Sequence, residues 1–241
     1  MMVISIATTS LVVRVLDRGP LRHRRIQPRA PRRDVLDHER VHIVYSILTG
    51  SALAALVVYL LKRGTITLDT RPTSAISILL QCALYFLVLD AYQYVVHRLM
   101  HTRFLFRHVH AVHHRSRTPS ALSAYSFHPV EVFALGVYFP LALSLHTFHA
   151  YSVAIFGLGQ FFINTIPHCG YEIAPASWYK RPWTRWLLTP IFHDVHHQTS
   201  AYNFGACTTL WDRLFGTMQP DFDRRIAELH ARGALPASEI T

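Results

Sequence analysis

The sequence is poor in charged residues and in cysteine. Charged residues make up 16% of its 241 positions, hydrophobic residues make up 51%, and the mean hydropathy is +0.20. Soluble domains usually carry about 25% charged residues, so a membrane protein is the first expectation. The three cysteines, Cys82, Cys169 and Cys207, are odd in number and show no CxxC spacing. This pattern predicts neither a disulfide framework nor a thiolate metal site, and reduced thiols fit a cytoplasm-facing catalytic domain.

Acidic residues are also scarce, and the resulting net charge of +10 is concentrated before the first apolar run. A basic arm can bind nucleic acid, but no aromatic-interleaved platform or nucleic-acid motif accompanies the arginines, so we expect no nucleic-acid partner. Positive charge next to a membrane span is typical of the cytoplasmic side, so these arginines predict a cytoplasmic N-terminal arm, residues 1–40. The arginines of this arm are Arg14, Arg18, Arg22, Arg24, Arg25, Arg29, Arg32, Arg33 and Arg40.

Three apolar regions are long enough to enter a membrane. Ile43–Leu61 contains no charge, and nineteen residues are close to the roughly 20 that cross a hydrocarbon core. A second run, Ser74–Val96, is uncharged until Asp90 and leads into His97. The third, Pro129–Ile166, is long enough for two crossings joined by a tight turn near residues 146–149. A shallower re-entrant hairpin is the alternative for this third region.

These regions predict an all-α integral membrane protein with about four transmembrane helices. The predicted domain spans residues 41–220, and residues 221–241 form a C-terminal tail. An even number of crossings returns the histidine-rich segments to the cytoplasmic side, where they would form a helical cap.

Histidine is the residue type that the chain has in excess. Thirteen of its seventeen histidines lie between His97 and His197. Residues three or four apart share one face of a helix, so each box presents two or three imidazoles toward one point. A catalytic zinc needs only three protein ligands, so eight clustered imidazoles predict two metals held between several helices. The boxes are HxxxH at His97 and His101, HxxHH at His110, His113 and His114, and HxxHH at His193, His196 and His197.

Two other functions remain as alternatives, a membrane zinc hydrolase and a metal-ion transporter. Residues His38, Glu39 and His42 match HExxH, in which two histidines bind zinc and the glutamate is the general base. A membrane zinc hydrolase on this motif would leave the eight later histidines unexplained. A metal-ion transporter is the second alternative, although its ligands should run through the spans rather than lie outside them.

The motifs HRLMH, HVHAVHH and FHDVHH occur in this order, interleaved with the predicted spans. Around them lie DAYQYVVHR, ALSAYSFHPVE, NTIPHCGY and NFGACTTLWDRLFGT. The set resembles the fatty acid hydroxylase and sterol desaturase superfamily of integral-membrane di-iron oxygenases. The resemblance runs from about residue 90 to residue 217, over half of the chain.

The resemblance implies that the eight boxed histidines are metal ligands, with His168 as a ninth. Some members carry HxxxH where this chain has Asn164 and His168, so Asn164 is expected to act through water or from beyond the ligand shell. Ligand histidines usually donate a hydrogen bond from the N–H of their second ring nitrogen to a carboxylate or carbonyl, which makes Asp90, Asp194 and Asp212 candidate partners.

The resemblance also implies the chemistry. We expect an O2-dependent lipid hydroxylase that binds two iron ions. Zinc can take the place of iron at these sites in the isolated protein. Its substrate would present an aliphatic C–H bond of a fatty-acyl, sphingoid or sterol-like lipid, and desaturation is the alternative reaction. Electrons would come from NAD(P)H through a separate carrier, a ferredoxin or cytochrome b5 with its reductase. The expected location is a bacterial inner membrane or the endoplasmic reticulum, as a multi-pass protein with the site facing the cytoplasm.

Overall fold

The computed structural model describes residues 2–27 and 30–232, and the regular structure over this part of the chain is helical. Its three isolated β-bridges do not extend into strands. The all-α fold predicted from the sequence is therefore confirmed for these residues. Two predictions, on Arg29 and on residues 233–241 of the tail, fall outside the described residues. The helices are α1 (Met2–Arg18), α2 (Arg33–Lys62), α3 (Ala75–Met100), α4 (Arg103–Leu105), α5 (Ala111–His114), α6 (Pro129–Gly136), α7 (Tyr138–Leu145), α8 (Ala150–Thr165), α9 (Pro190–Thr199), α10 (Leu210–Leu214) and α11 (Phe222–Arg232).

Helices α2 and α3 are long and apolar enough to cross a membrane. Their most apolar windows have mean hydropathies of 2.0 and 1.8, and only 17% of each window is buried inside the protein. The predicted span Ile43–Leu61 lies within α2. The second predicted span corresponds to α3, where the Ser74 hydroxyl accepts a hydrogen bond from the backbone N–H of Ser77 and caps the helix.

The third apolar region divides into α6, α7 and α8. Its turn lies between Leu145 and Ala150, where the chain was predicted to reverse, and the His149 ring caps α8 by accepting from the N–H of Tyr151. Residues 129–145 and α8 each extend about 25 Å at 1.5 Å per residue. Both are shorter than the roughly 30 Å hydrocarbon core, so four crossings remain a prediction.

The apolar helices bury several polar side chains and expose many large apolar ones. Ser5 of α1, Ser46 of α2 and Asp90 of α3 are almost fully buried, whereas Leu80 and Leu158 are more than half exposed. Large exposed apolar surfaces mark sites of contact with membranes or other proteins. An apolar outer surface is the arrangement expected of a helical bundle surrounded by lipid.

Ile26 of the N-terminal arm and helix α11 pack beside α9, the helix of the third histidine box. The backbone N–H of Ile26 donates to the carbonyl of Gly170 at 3.0 Å. At the other end, α11 inserts Phe222, Ile226 and Leu229 into a core that includes Phe192. The structure thus places described parts of the predicted arm and tail against the histidine-bearing region.

Candidate metal centre

Nine histidines converge in two groups, within each of which ring nitrogens lie within 4.8 Å of one another. These nine are the same residues that the sequence analysis singled out as ligands. The larger group contains His97, His101, His110, His114 and His196. The smaller group contains His113, His168, His193 and His197.

Each HxxHH box contributes to both groups. Adjacent residues on a helix point about 100° apart, whereas residues four apart share a face. In the second box, His110 and His114 therefore join the larger group and His113 the smaller. In the third box the assignment is reversed. The i, i+4 pair of α9, His193 and His197, joins the smaller group, and His196 joins the larger. The doubled histidine at the end of each box thus links two neighbouring sites.

The second ring nitrogen of most of these histidines is already engaged. Carbonyl and carboxylate oxygens only accept, so an Nδ1 that contacts one carries the proton and Nε2 keeps a free lone pair. These contacts fix the tautomer and the ring orientation. They join His97 to Phe204 O at 2.7 Å, His196 to Tyr202 O at 2.7 Å, His168 to Asn164 O at 2.9 Å, His113 to Ser126 O at 3.3 Å, and His110 to Glu131 Oε1 at 2.6 Å.

Burial keeps most of these imidazoles neutral. It lowers the pKa of His101 to about 3 and that of His168 to about 4, and the neighbouring His110 adds to the effect on His101. Burial likewise holds the pKa of His113, His193 and His196 well below the usual range. Neutral imidazole is the form that binds a metal, so at neutral pH the lone pairs are available.

The donor set fits metal ions. The Nε2 atoms of His114 and His196 lie 3.0 Å apart, as do those of His168 and His193. Among the described residues, His110 Nε2 has no hydrogen-bond partner although it is buried. Buried, unpaired lone pairs are costly, and a cation between them would satisfy several at once. All-imidazole groups suit Fe, Zn, Cu or Ni, so the donor type alone does not select the metal.

The three predicted aspartate partners do not contact a histidine ring. Asp90 lies two helical turns before His97, too far along the axis to reach its ring. Each carboxylate accepts from other groups: Asp90 from Thr208 N, Thr208 Oγ1 and Trp211 Nε1; Asp194 from Gln27 and Gln198; Asp212 from Phe204 N, Gly205 N and Thr217 Oγ1. The expectation that these acids bond directly to ligand histidines is therefore corrected.

Two of these acids act on the centre through the loop after α9. Asp212 holds the N–H of Phe204, whose carbonyl accepts from His97, and Asp90 anchors the same loop at Thr208. The turn is so tight that a Cβ on Gly205 would lie 2.2 Å from the Thr208 carbonyl oxygen. The NFGACTTLWDRLFGT segment thus serves as a backbone support for the larger histidine group.

Sequence reasoning missed Glu131 as a partner of the centre. Its Oε1 lies 2.6 Å from His110 Nδ1, and both side chains are at most 2% exposed. Glu131 lies near the start of the third apolar region, for which only membrane crossings were predicted. A carboxylate in an otherwise uncharged run, three residues after His128 in FHPVE, is the signal that could have identified it.

Asn164 supports the histidine groups through its backbone carbonyl, and its side chain lies beside them. Its carbonyl accepts from His168, while its side-chain oxygen accepts from Gln160 Nε2 at 3.1 Å. The side chain also lines a chamber of about 80 Å³ beside the centre. The histidines that border this chamber are His97, His110, His113, His168 and His193.

The HExxH residues belong to neither group. The His38 ring contacts the Val112 carbonyl, and the His42 ring contacts the His38 carbonyl. The Glu39 carboxylate is fully buried and accepts from Ser116 and Ser120, in the loop after the second box. Among the described residues, no third ligand joins these histidines, and this arrangement favours a structural role for the motif.

A larger cavity lies next to the chamber, within the helical bundle. It has a volume of about 540 Å³ and lies between α2, α3, α6, α7 and α8. Four residues line both spaces: Gln93, Phe127, Leu135 and Asn164. The larger cavity therefore adjoins the chamber that the histidines border.

Comparisons with known proteins agree with this geometry. A profile of the fatty acid hydroxylase family matches residues 82–217, which include all nine histidines. Methylsterol monooxygenase 1 of Gallus gallus is 29% identical over 140 residues, covering 58% of this chain and 46% of that protein. The chain thus spans about half the length of this relative.

Two further relatives align over more of their length. Sphinganine C4-monooxygenase 2 of Arabidopsis thaliana is 33% identical over 187 residues, 74% of this chain and 71% of that protein. A very-long-chain aldehyde decarbonylase of Oryza sativa subsp. indica is 29% identical over 214 residues, 86% of this chain and 81% of that protein. No solved structure matches the chain. The family match, which covers more than half of the sequence, confirms the resemblance, and the chain belongs to the fatty acid hydroxylase family.

Proposed function

We propose that the protein is a membrane lipid hydroxylase that holds two iron ions and uses O2 to oxidise an aliphatic C–H bond. The observation that carries the proposal is the pair of mostly buried all-histidine groups beside a chamber that adjoins an apolar cavity. Relatives named as methylsterol and sphinganine monooxygenases support a lipid substrate and this type of reaction.

One iron would bind to the group of five histidines and the other to the group of four. When bound, the metals would supply the activation of O2 and the oxidation of the C–H bond. The chain's own residues orient the imidazoles through Nδ1 and exclude water by burying the rings. Glu131 and the carbonyls of the loop after α9 hold the larger group, and the Asn164 carbonyl holds His168 in the smaller group.

The apolar cavity would receive the hydrocarbon part of the substrate. Its far end is lined by Val57, Tyr85 and Phe156, on helices whose opposite ends lead toward the histidines. A lipid lying along these helices would present one carbon to the chamber, and this fixed position favours hydroxylation at a single site.

For the topology, we propose that α2 and α3 cross the membrane and that α6–α7 and α8 form the second pair of crossings. The histidine groups would then form the cytoplasmic cap, on the same side as the arginines that precede α2. Domain limits of 1–40, 41–220 and 221–241 remain part of this proposal. A separate ferredoxin or cytochrome b5 with an NAD(P)H reductase would deliver the electrons.

Metal analysis combined with one substitution tests the proposed function. We expect about two irons per chain and the O2-dependent addition of one oxygen atom to a cellular lipid. His113→Ala removes a donor of the smaller group and should reduce the iron content to about one per chain and abolish hydroxylation. The matched control is His108→Ala, because this exposed histidine lies outside both groups and the substitution should leave two irons.

The rival hydrolase gives a different result. Tightly bound zinc together with hydrolysis that needs no O2 and is lost in Glu39→Ala would contradict the oxygenase. Lipid profiles of cells with and without the gene, compared for a shift of one oxygen atom, would identify the substrate.

A further inference from the structure

We propose that helix α1 positions the smaller histidine group, and that the buried Ser5 is the positioning residue through which it does so. The inference rests on the proposed function in so far as the smaller group binds a metal. Helix α1 lies outside residues 82–217, which the family profile matches, so this role adds an element to the centre that the matched region does not contain.

The Ser5 hydroxyl joins two segments that are distant in sequence. Its Oγ accepts a hydrogen bond from the hydroxyl of Tyr125 at 2.8 Å and lies 2.7 Å from Oγ1 of Thr165. All three side chains are buried. Because Ser5 accepts the proton of Tyr125, its own proton is available for Thr165, and the three hydroxyls form one chain. Buried polar networks of this kind hold their members in a fixed arrangement.

The first partner of Ser5 belongs to the segment that orients His113. Tyr125 ends a short helical turn, Ser123–Tyr125, and directly precedes Ser126. The carbonyl of Ser126 accepts from Nδ1 of His113 at 3.3 Å. A displacement of Tyr125 would therefore move the acceptor that sets the orientation of this ring.

The second partner belongs to the segment that holds His168. Thr165 ends α8 and follows Asn164, whose carbonyl accepts from Nδ1 of His168 at 2.9 Å. His168 itself lies in the helical turn Ile166–His168, which contacts the turn Ser123–Tyr125. The hydroxyl from α1 thus joins the supports of two of the four histidines of the smaller group.

Other contacts hold α1 in place near both of its ends. Near the first turn, Ile6 packs against a cluster that includes Ile43 of α2 and Tyr125. Near the last turn, the Asp17 carboxylate accepts a hydrogen bond from the hydroxyl of Tyr171. Loss of the Ser5 hydroxyl should therefore loosen the two supports without displacing the helix.

A metal titration of the full chain, purified in detergent and freed of metal, tests the proposal. Ser5→Ala removes the shared partner and leaves the O–H of Tyr125 buried without this acceptor. We expect the Co²⁺ affinity of the smaller group to fall about three- to tenfold, the factor to which one hydrogen bond of average strength corresponds. The larger group should keep its affinity. Thr8→Ala removes an exposed hydroxyl from the same helix and is the matched control, which should leave both sites unchanged.

A second background identifies the site that is affected. His113→Ala removes a donor of the smaller group, so in this background Ser5→Ala should leave the remaining Co²⁺ site unchanged. A role in general stability would not give this pattern, because a loosened fold weakens both groups. A loss that persists in the His113→Ala background, equal weakening of both sites, or a lowered Tm with both affinities unchanged would each overturn the proposal.

Tyr125→Phe tests the same hydrogen bond from its other side and keeps the proposal open to test if Ser5→Ala does not fold. It leaves Ser5 its contact with Thr165 and should also weaken the smaller group selectively. The double substitution should weaken this group no further than Ser5→Ala alone, because both changes remove one shared interaction. Fully additive losses would contradict a role through this hydrogen bond.

The titration separates this inference from the proposed function, because Co²⁺ binding is measured without turnover. Two Co²⁺ sites that are both insensitive to Ser5→Ala would overturn only the role of α1. A selective loss in a protein that shows no iron-dependent hydroxylation would support the role of α1 and contradict the oxygenase. A smaller group that binds no Co²⁺ would overturn both.

Discussion

The carboxylate of Glu131 orients the ring of His110 through a hydrogen bond. Substitution of Glu131 can remove this hydrogen bond without changing any of the nine histidines. The carboxylate oxygen accepts from Nδ1 at 2.6 Å, which directs the free Nε2 of the ring toward the larger group. Glu131→Leu should leave a buried N–H unpaired and weaken metal binding at this group about 10- to 100-fold, as loss of an outer-shell partner does. Titration of the metal-free protein with Co²⁺, followed by its absorption spectrum, would measure the loss as one weakened site out of two.

The conservative variant separates orientation from simple packing. Glu131→Gln keeps an oxygen that can accept from His110, so its Co²⁺ affinity should stay within a few-fold of the original. Glu228→Gln on α11 is the control for a change of carboxylate at an exposed position. Equal weakening of both sites in Glu131→Leu would contradict a specific role at His110.

Helix α9, like α5, contributes histidines to both groups. The buried carboxylate of Glu172 accepts a hydrogen bond from the N–H of Ile191, in the first turn of α9. It also accepts from the N–H of Ala174. Glu172→Ala would leave both donors buried and unpaired, at about 1–3 kcal/mol each. We expect a lower Tm and reduced metal content at both groups, in contrast to the single-group effect of Glu131→Leu. Normal iron content with a lowered Tm would mean that Glu172 stabilises the fold without positioning α9.

The difference between local and long-range contacts explains how much could be predicted from the sequence. The histidine boxes were accessible because i, i+3 and i, i+4 spacing is a local property of a helix. The partners of these rings are distant in sequence, since His110 meets Glu131 across 21 residues and His97 meets the Phe204 carbonyl across 107. A carbonyl partner also leaves no mark in the sequence, because every residue has one. Acidic residues near the boxes were therefore predicted as partners, although Asp90 and Asp212 support the backbone instead.

The whole molecule concentrates nine imidazoles where an α-helical bundle of this size would normally place apolar side chains. Metal ions that bind only the folded state stabilise it by mass action, by about 4 kcal/mol per site at a free concentration one thousand times Kd. For a protein of this length, 1 kcal/mol corresponds to about 2–4 °C in Tm. Removing iron from the purified protein with a chelator should therefore lower the Tm by more than 10 °C, and adding Fe²⁺ back should restore it. His113→Ala, which disables one group, should show a smaller chelator-induced decrease. An equal Tm with and without iron would mean that the fold holds the histidine groups without help from the metal, and the two-site assignment would then have to rest on metal content alone.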